Sequence, residues 1–463
     1  MAKVLFLHSM TKSVRKTFFS PWHIILSGGH MPLSHFYQGD NMKITAKFGG
    51  TSLATAKAID NAAKIVASDA ARQYVTVSAP GKRSPDDIKI TDLLYSAYES
   101  GDFDAVFERF YDIAHEFRTK TDPSAEYRKI KDAMRIPCGR DFIASRGEYL
   151  CAEIFSDYIG FPFIDAADVI FFDDDGNTDY IRTRRRLGEV LEKVQNAVIP
   201  GFYGVGTDGA VHTFSRGGSD ITGALVAASS ESDIYENWTD VDGVLSADPK
   251  TIDNPAFLDI ITYSELKYLS AFGASVLHED ALLPVRQLGI PVHIRNTGNP
   301  GGAGTMIVSQ REMPRAFVGV SGRGGFSRIA VSKEKIGRSS TDMREIFELF
   351  SRKKTDIILA AAEPDGLFII TEAESGKSRT DMLLNEICQL VMPTGISYDE
   401  KIAVICAVGD DTSEITAKSA SALHEAGIRP IMISAGSSGG YVLICTKENQ
   451  KDEAVRRIYK KLA

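Results

Sequence analysis

Lys47-Phe-Gly-Gly-Thr-Ser52, preceded by Met42-Lys-Ile-Thr-Ala46, is the stretch on which the fold turns. Ile44, Thr45 and Phe48 form a short run with strand character that ends in a glycine pair. In the segment that follows, Ala58, Ile59, Ala62, Ala63, Ile65 and Val66 recur at helical spacing. Strand, glycine turn, hydroxyl and helix, in that order, aim backbone N–H groups and a positive helix end at an anion. Gly49 and Gly50 let the chain approach a phosphate with no Cβ in the way. Lys47 adds a mobile full charge where a transferred phosphoryl group is negative. A Gly-Gly turn after a strand is more often only a turn, so the rest of the chain must carry the assignment.

From Met42 to about Met313 short apolar runs alternate with amphipathic segments. The strand candidates are 44–48, 74–78, 198–203, 234–239 and 292–295; helix candidates include 223–229 and 263–269. This alternation predicts a largely parallel sheet covered by helices on both faces, with ligands bound beyond the carboxyl ends of the strands. Glycine-rich turns at 49–50, 201–209, 217–218 and 242–243 follow strand candidates and are expected to converge on that edge.

After Asn299-Pro-Gly-Gly-Ala-Gly304 the character changes. Asp356–Ile370 lines up with Pro430–Ile444, and Ile329-Ala-Val331 with Ile402-Ala-Val404. Each copy reads strand, helix, strand, tight turn, strand, helix, a duplicated βαββα unit. The first copy has a spare strand near Ile396–Tyr398, whereas the second ends at Ala463 directly after the helix 453–462. Ala316-Phe-Val-Gly-Val-Ser321 is an unassigned strand before the first copy. Because sheet edges tend to be covered, residues 317–321 are expected to complete the sheet of the second copy.

The chain has 463 residues, 43% apolar and 25% charged, ordinary for a globular protein of two or three domains. A net charge of -8, with no basic stripe, argues against nucleic acid or an acidic membrane surface as partner. The five cysteines are odd in number and scattered, which fits reduced core thiols and a cytoplasmic setting. No apolar run has the length of a membrane span. Residues 1–41 carry basic residues and no acidic one before Asp40, and read as a disordered N-terminal extension or a misassigned start upstream of Met42.

Three further stretches carry chemistry. Arg216-Gly-Gly-Ser-Asp220 presents a planar cation, a hydroxyl and a carboxylate at a helix entrance. Arg suits bidentate capture of a carboxylate or phosphate; the plainer alternative is a solvated turn with Asp220 as helix cap. Trp238-Thr-Asp-Val-Asp-Gly243, continuing through Asp248-Pro-Lys250, sets acidic residues around a strand end, for Mg²⁺ or a ribose or simply as an Asx-rich turn. Ser145-Arg-Gly-Glu148 is read as preceding a helix, with Glu148 binding a substrate amine or complementing the helix dipole.

Taken together with Val77-Ser-Ala-Pro80, Ile90-Thr-Asp-Leu-Leu94 and Phe272–His278, these motifs resemble the aspartokinase family of the amino acid kinase superfamily. The resemblance runs from Met42 to the C-terminus and implies an amino acid kinase-like αβα sandwich with a mainly parallel sheet at 42–313. Two βαββαβ ferredoxin-like ACT domains follow, at 314–400 and 401–463, with the 314–322 strand donated to the second. No homoserine dehydrogenase segment follows, as in the monofunctional form. The implied reaction transfers the γ-phosphoryl group of Mg-ATP to the β-carboxylate of L-aspartate, magnesium being carried by the nucleotide. The resemblance implies catalytic roles for Lys47 and Asp220, the second orienting the first. Ser78, Thr91, Glu148, Arg216 and Ser219 would bind aspartate, Glu148 taking the ammonium and Arg216 with Ser219 the α-carboxylate. Lys47, Gly49, Gly50, Ser52, Thr239, Asp240, Asp248, Lys250 and Ser275 would contact ATP.

Two departures stand out: many members have Lys where Ser275 stands, and Arg where Lys250 stands. The alternatives are a sister kinase acting on glutamate, acetylglutamate or a nucleotide, and a non-catalytic amino-acid sensor with a degenerate kinase domain. The resemblance also implies a homodimer or larger assembly and a lysine or threonine effector at the ACT domains. In Ile336-Gly-Arg-Ser-Ser-Thr-Asp-Met343, Asp342 reads as a helix cap or as a carboxylate that repels the effector, which would weaken feedback.

Overall fold

The computed structural model describes residues 36–37, 42–133, 139–215, 217–273, 277, 279–373, 376–436 and 439–463. Most of the N-terminal extension, Cys138, Arg216, Ser275 and His278 therefore lie outside the described residues. Residues 39–463 form one compact unit.

A seven-stranded sheet organises the first part. Its strands are β1 (Ile44–Phe48), β2 (Arg72–Val77), β3 (Ala197–Pro200), β4 (Ile234–Thr239), β5 (Ile260–Thr262), β6 (Val292–Asn296) and β7 (Thr305–Val308), in the order β3-β2-β1-β4-β6-β7-β5. The pairings β3–β2, β2–β1, β1–β4 and β4–β6 are parallel, and β7 runs antiparallel to β6. Every residue of β1 is buried, as expected for a central strand covered on both faces. The helices that frame the site are α1 (Ala56–Ala67), α2 (Ile90–Ser100), α3 (Asp104–Phe117), α4 (Arg140–Ile159) and α5 (Gly218–Ser229). Thr55 caps α1 by accepting the Ala58 N–H, and Ile59, Ala62, Ala63, Ile65 and Val66 bury the predicted face.

The strand expected at 198–203 is two strands. Pro200-Gly201 ends β3, Phe202 turns the chain at φ 78°, and Tyr203–Val205 pairs instead with Val211–Thr213.

The C-terminal part is a six-stranded antiparallel sheet of β8 (Gly319–Ser332), β9 (Ile357–Glu363), β10 (Gly366–Glu372), β11 (Gly395–Val408), β12 (Met432–Ala435) and β13 (Tyr441–Lys447), ordered β9-β10-β8-β11-β13-β12. It is crossed by α6 (Ser340–Lys353), α7 (Lys377–Val391), α8 (Thr412–Glu425) and α9 (Lys451–Leu462). The two long strands are shared between the repeats. Residues 326–332 of β8 pair with β10 and with 395–402, while 319–323 pair with 404–408. Irregularities at 323–328 mark where β8 passes from one repeat to the other.

The turn before α6 differs from the sequence reading. Ser339, not Asp342, is the cap, and the Asp342 carboxylate lies 2.9 Å from Lys333 Nζ. That hydrogen bond holds the Asp342 carboxyl below its usual range. A carboxylate already paired to an ammonium repels an approaching carboxylate weakly, so the argument for weakened feedback loses its basis.

Candidate active site

The carboxyl ends of β1, β2, β3, β4 and β6 put Gly49, Ser78, Gly201, Thr239 and Thr297 along one edge of the parallel sheet. Backbone hydrogen bonds lock this edge: Gly49 N–H donates to Trp238 O (3.0 Å), Ser78 N–H to Phe48 O (3.1 Å), Gly201 N–H to Val77 O (3.0 Å) and Thr297 N–H to Thr239 O (2.9 Å). This is the edge where an open parallel sheet takes its ligands.

Lys47 alternates away from the apolar face of Ile44, Ala46 and Phe48, and is 7% exposed. Its Nζ lies 2.6 Å from Asp220 Oδ1 in the first turn of α5. The same oxygen accepts from Asn237 Nδ2 at 2.7 Å, and Asn237 sits beside Lys47 in the β1–β4 register. Asp220 is therefore not the cap of α5; Gly217, at φ 59°, occupies that position without a side-chain bond. The carboxylate is drawn instead to a buried ammonium, a stronger partner than a backbone N–H.

Gly50 packs against the loop after β2. A Cβ on Gly50 would stand 2.9 Å from Ala79 O, and one on Gly81 only 2.6 Å from the Gly50 carbonyl carbon. Gly81 N–H donates to Gly50 O at 2.7 Å. Arg109 of α3 clamps both loops by donating to the carbonyls of Ala54, Gly81 and Ile88. Ser52 is turned inward, its hydroxyl 2.9 Å from that of Thr297.

A cavity of about 550 Å³ opens beside these loops. It gathers Gly50, Ser78, Thr91 at the start of α2 and Glu148 from four separate elements, together with Lys82, Lys89 and Pro80. Glu148 is not at a helix start: α4 begins at Arg140, so Ser145–Glu148 lie within it and the dipole reading falls away. Gly147 allows this approach, since a Cβ there would meet Ala79 Cβ at 2.9 Å. Glu148 is buried, and its Oε2 has no hydrogen-bond partner. Burial pushes its carboxyl up to about 8, against the opposing effect of a hydrogen bond from the Ala79 backbone.

The remaining predicted residues spread further. Ser219, buried at the start of α5, packs on Gly201, where a Cβ would stand 2.6 Å from its Oγ. Thr239 is half-buried at the end of β4, with its hydroxyl 3.2 Å from the exposed Asp240. Asp248 and Lys250 are exposed on the loop of a two-stranded ribbon, Val244–Leu245 with Phe257–Leu258. Lys250 N–H donates to Asp248 Oδ1 at 2.9 Å, an Asx-type turn. Sequence reasoning missed Asn237, Thr297, Gly81 and Arg109. The polar pair Glu236-Asn237 inside the strand candidate 234–239 was the available signal for Asn237; nothing local marks the others.

A parallel sheet with a glycine turn, a paired buried lysine and a carboxylate-walled cavity at its carboxyl edge defines a small-molecule phosphotransferase. Residues 42–296 match the family described as "Amino acid kinase family". Along 448 residues the chain is 32% identical to Aspartokinase 3 of Bacillus subtilis, covering 90% of this chain and 98% of that protein. The crystal structure of Clostridium acetobutylicum aspartate kinase superposes with a TM-score of 0.80 at 35% identity, over 91% of this chain and all (100%) of that one. Escherichia coli aspartokinase III, solved with aspartate and ADP (R-state), shares the fold at a TM-score of 0.74 and 22% identity, over 91% of this chain and 99% of that one. The chain belongs to the aspartokinase family.

Proposed function

We propose that the chain transfers the γ-phosphoryl group of ATP to the β-carboxylate of L-aspartate, yielding 4-phospho-L-aspartate and ADP at the entry to lysine, threonine and methionine synthesis. The observation that carries this reading is Glu148: a buried carboxyl with an unpartnered oxygen in the cavity wall is a receptor that an ammonium group would ionise and pair with. Ser78 and Thr91 line the same cavity and would hold the rest of the amino acid, with Ser219 and Arg216 taking its α-carboxylate.

The backbone turn at Gly49 and Gly50, with Lys47, would receive the β- and γ-phosphates, and Ser52 would set that turn through Thr297. Thr239, Asp240, Asp248, Lys250 and Ser275 would face the nucleotide. A turn closed around glycines beside a buried ammonium fits a polyphosphate. Mg²⁺ would arrive on the ATP phosphates and spread the charge of the transferring group. A β-carboxylate oxygen attacks the γ-phosphorus as the bond to the ADP oxygen breaks. The nucleophile is already ionised near neutral pH, so no general base is needed. The protein contributes position and the Lys47 charge, held in place by Asp220.

The proposal extends to boundaries and partners. The kinase domain would span 42–313 and the ACT domains 314–400 and 401–463, with the strand at 314–322 serving the second. Lysine or threonine would act at the ACT domains of at least a homodimer, in the cytoplasm. Escherichia coli aspartokinase III, also solved with lysine and aspartate (T-state), is consistent with the lysine arm. No helix among the described residues is long and apolar enough to cross a membrane.

Purified protein with L-aspartate, MgATP and hydroxylamine tests the reaction, because the acyl phosphate is trapped as a hydroxamate. Product that requires both substrates is expected. No product, or equal product with glutamate, would refute the assignment.

A further inference from the structure

The loop between the ribbon strands, residues 246–256, belongs to two parts of the molecule. On one face Ala247 and Ile252 are buried in an apolar cluster with Val320, Ile405, Val455 and Ile458 of the C-terminal sheet and α9. On the other, Asp248 and Lys250 are exposed. The loop is closed by Ser246 N–H donating to Ala256 O at 2.8 Å, and Val320 N–H of β8 donates to Ser246 O at 2.8 Å.

One side chain fastens both ends. The Tyr459 hydroxyl of α9 accepts the Ala256 N–H at 3.0 Å, which leaves its own proton for Ser246 Oγ, also at 3.0 Å. Its ring packs edge-on against Phe317, with centroids 5.9 Å apart. A side chain near the C-terminus thus bridges two points of the kinase part that lie more than 200 residues earlier in sequence.

We propose that Tyr459 is a positioning residue for nucleotide binding: its hydroxyl fixes the 246–256 loop and makes the ATP side responsive to the position of α9. This rests on the reading that Asp248 and Lys250 face ATP. Loosening both loop ends at once lets the exposed residues wander, so nucleotide affinity falls while the cavity walled by Glu148 is untouched. The path from the second repeat to the nucleotide is then a pair of hydrogen bonds and two apolar plugs.

The test compares Tyr459→Phe, Ser246→Ala, Asp248→Ala, Lys250→Ala and Glu425→Gln in the full-length enzyme. Glu425 pairs with Lys461 between α8 and α9 at 2.8 Å and reports on general loosening of that repeat. Tyr459→Phe is expected to raise KM for MgATP roughly fivefold, the effect of about one net hydrogen bond, with KM for aspartate unchanged. Ser246→Ala, which removes one of the two bonds, should give a smaller rise, and amide exchange in 246–256 should quicken in both. If Asp248→Ala and Lys250→Ala raise KM for MgATP but Tyr459→Phe does not, Tyr459 has no positioning role. If the loop variants also leave it unchanged, the nucleotide assignment of the loop fails, and this proposal with it. An equal rise in Glu425→Gln would overturn the proposal in favour of general loosening.

Discussion

Replacing Glu148 by Gln isolates the electrostatics of the proposed aspartate pocket. Burial lifts the Glu148 carboxyl from its ordinary 4.5 to about 8, so the empty enzyme holds this group mostly neutral at pH 7. An ammonium ligand needs the ionised form, and the apparent affinity is the intrinsic one reduced by the ionised fraction. For a carboxyl at about 8 that reduction is about 100-fold at pH 6, about 11-fold at pH 7 and about 4-fold at pH 7.5. KM for aspartate should therefore fall about 25-fold between pH 6 and 7.5, with one proton released on binding.

The unliganded protein has the opposite dependence. The folded state binds the extra proton, so the stability contributed by neutral Glu148 is complete below its ordinary 4.5 and is lost as pH rises through about 8. The whole difference corresponds to roughly 4–5 kcal/mol. Glu148→Gln should show a high KM without the pH slope, and its melting temperature should decline less from pH 5 to 8. Steady-state kinetics and thermal denaturation across that range decide the matter. A flat KM in the parent enzyme, or an undiminished slope in Glu148→Gln, would refute the reasoning.

Three other outcomes are expected. Lys47→Ala should lower kcat by roughly 10²–10³-fold, the usual cost of deleting a preorganised charge at a developing anion, and unchanged turnover would remove Lys47 from catalysis. Asn237→Ala removes one of the two donors to Asp220 Oδ1 and should lower kcat roughly tenfold, with the circular dichroism spectrum retained. Gly81→Ala forces a Cβ to 2.6 Å from the Gly50 carbonyl carbon, so roughly 1–3 kcal/mol of stability should be lost in urea titration and KM for MgATP should rise.

The sequence carried β1 and β4 to their ends, because each is a short run with strand character bounded by a glycine or Asx-rich turn, although Lys47, Glu236 and Asn237 interrupt the apolar residues. In the C-terminal sheet, β8 residues 319–323 pair with 404–408. Sequence reasoning failed where packing overrules local chemistry. Gly147 resembles a helix boundary in sequence, yet α4 runs straight through it because the close contact with Ala79 requires a residue without a side chain. Asp220 and Asp342 both looked like caps, and both were taken by ammonium groups instead, Asp220 by Lys47 on a distant strand and Asp342 by Lys333 nine residues earlier. Arg109 was invisible for a related reason: beside an ion pair with Asp87 at 3.2 Å, it holds the loops through backbone carbonyls, which leave no residue-type signature.

In the proposed mechanism the Lys47–Asp220 pair would perform two tasks with one geometry. An unpaired ammonium at 7% exposure would be costly to bury, and Asp220 offsets that cost before any nucleotide arrives. Asn237 donates to the same carboxylate oxygen, which fixes the direction of the pair and not merely its presence. An ammonium has three N–H donors, and only one is directed at Asp220 Oδ1. In the proposed nucleotide-binding role, the other two would remain for phosphate oxygens at the Gly49–Gly50 turn. Phosphate would then not need to displace Asp220 to reach Lys47, and the charge proposed to stabilise transfer would already be aimed, with little reorganisation left for the moment of reaction. Removing Asp220 would accordingly harm the enzyme twice, once by stranding a buried charge in the empty protein and again by releasing the aim of its two free donors.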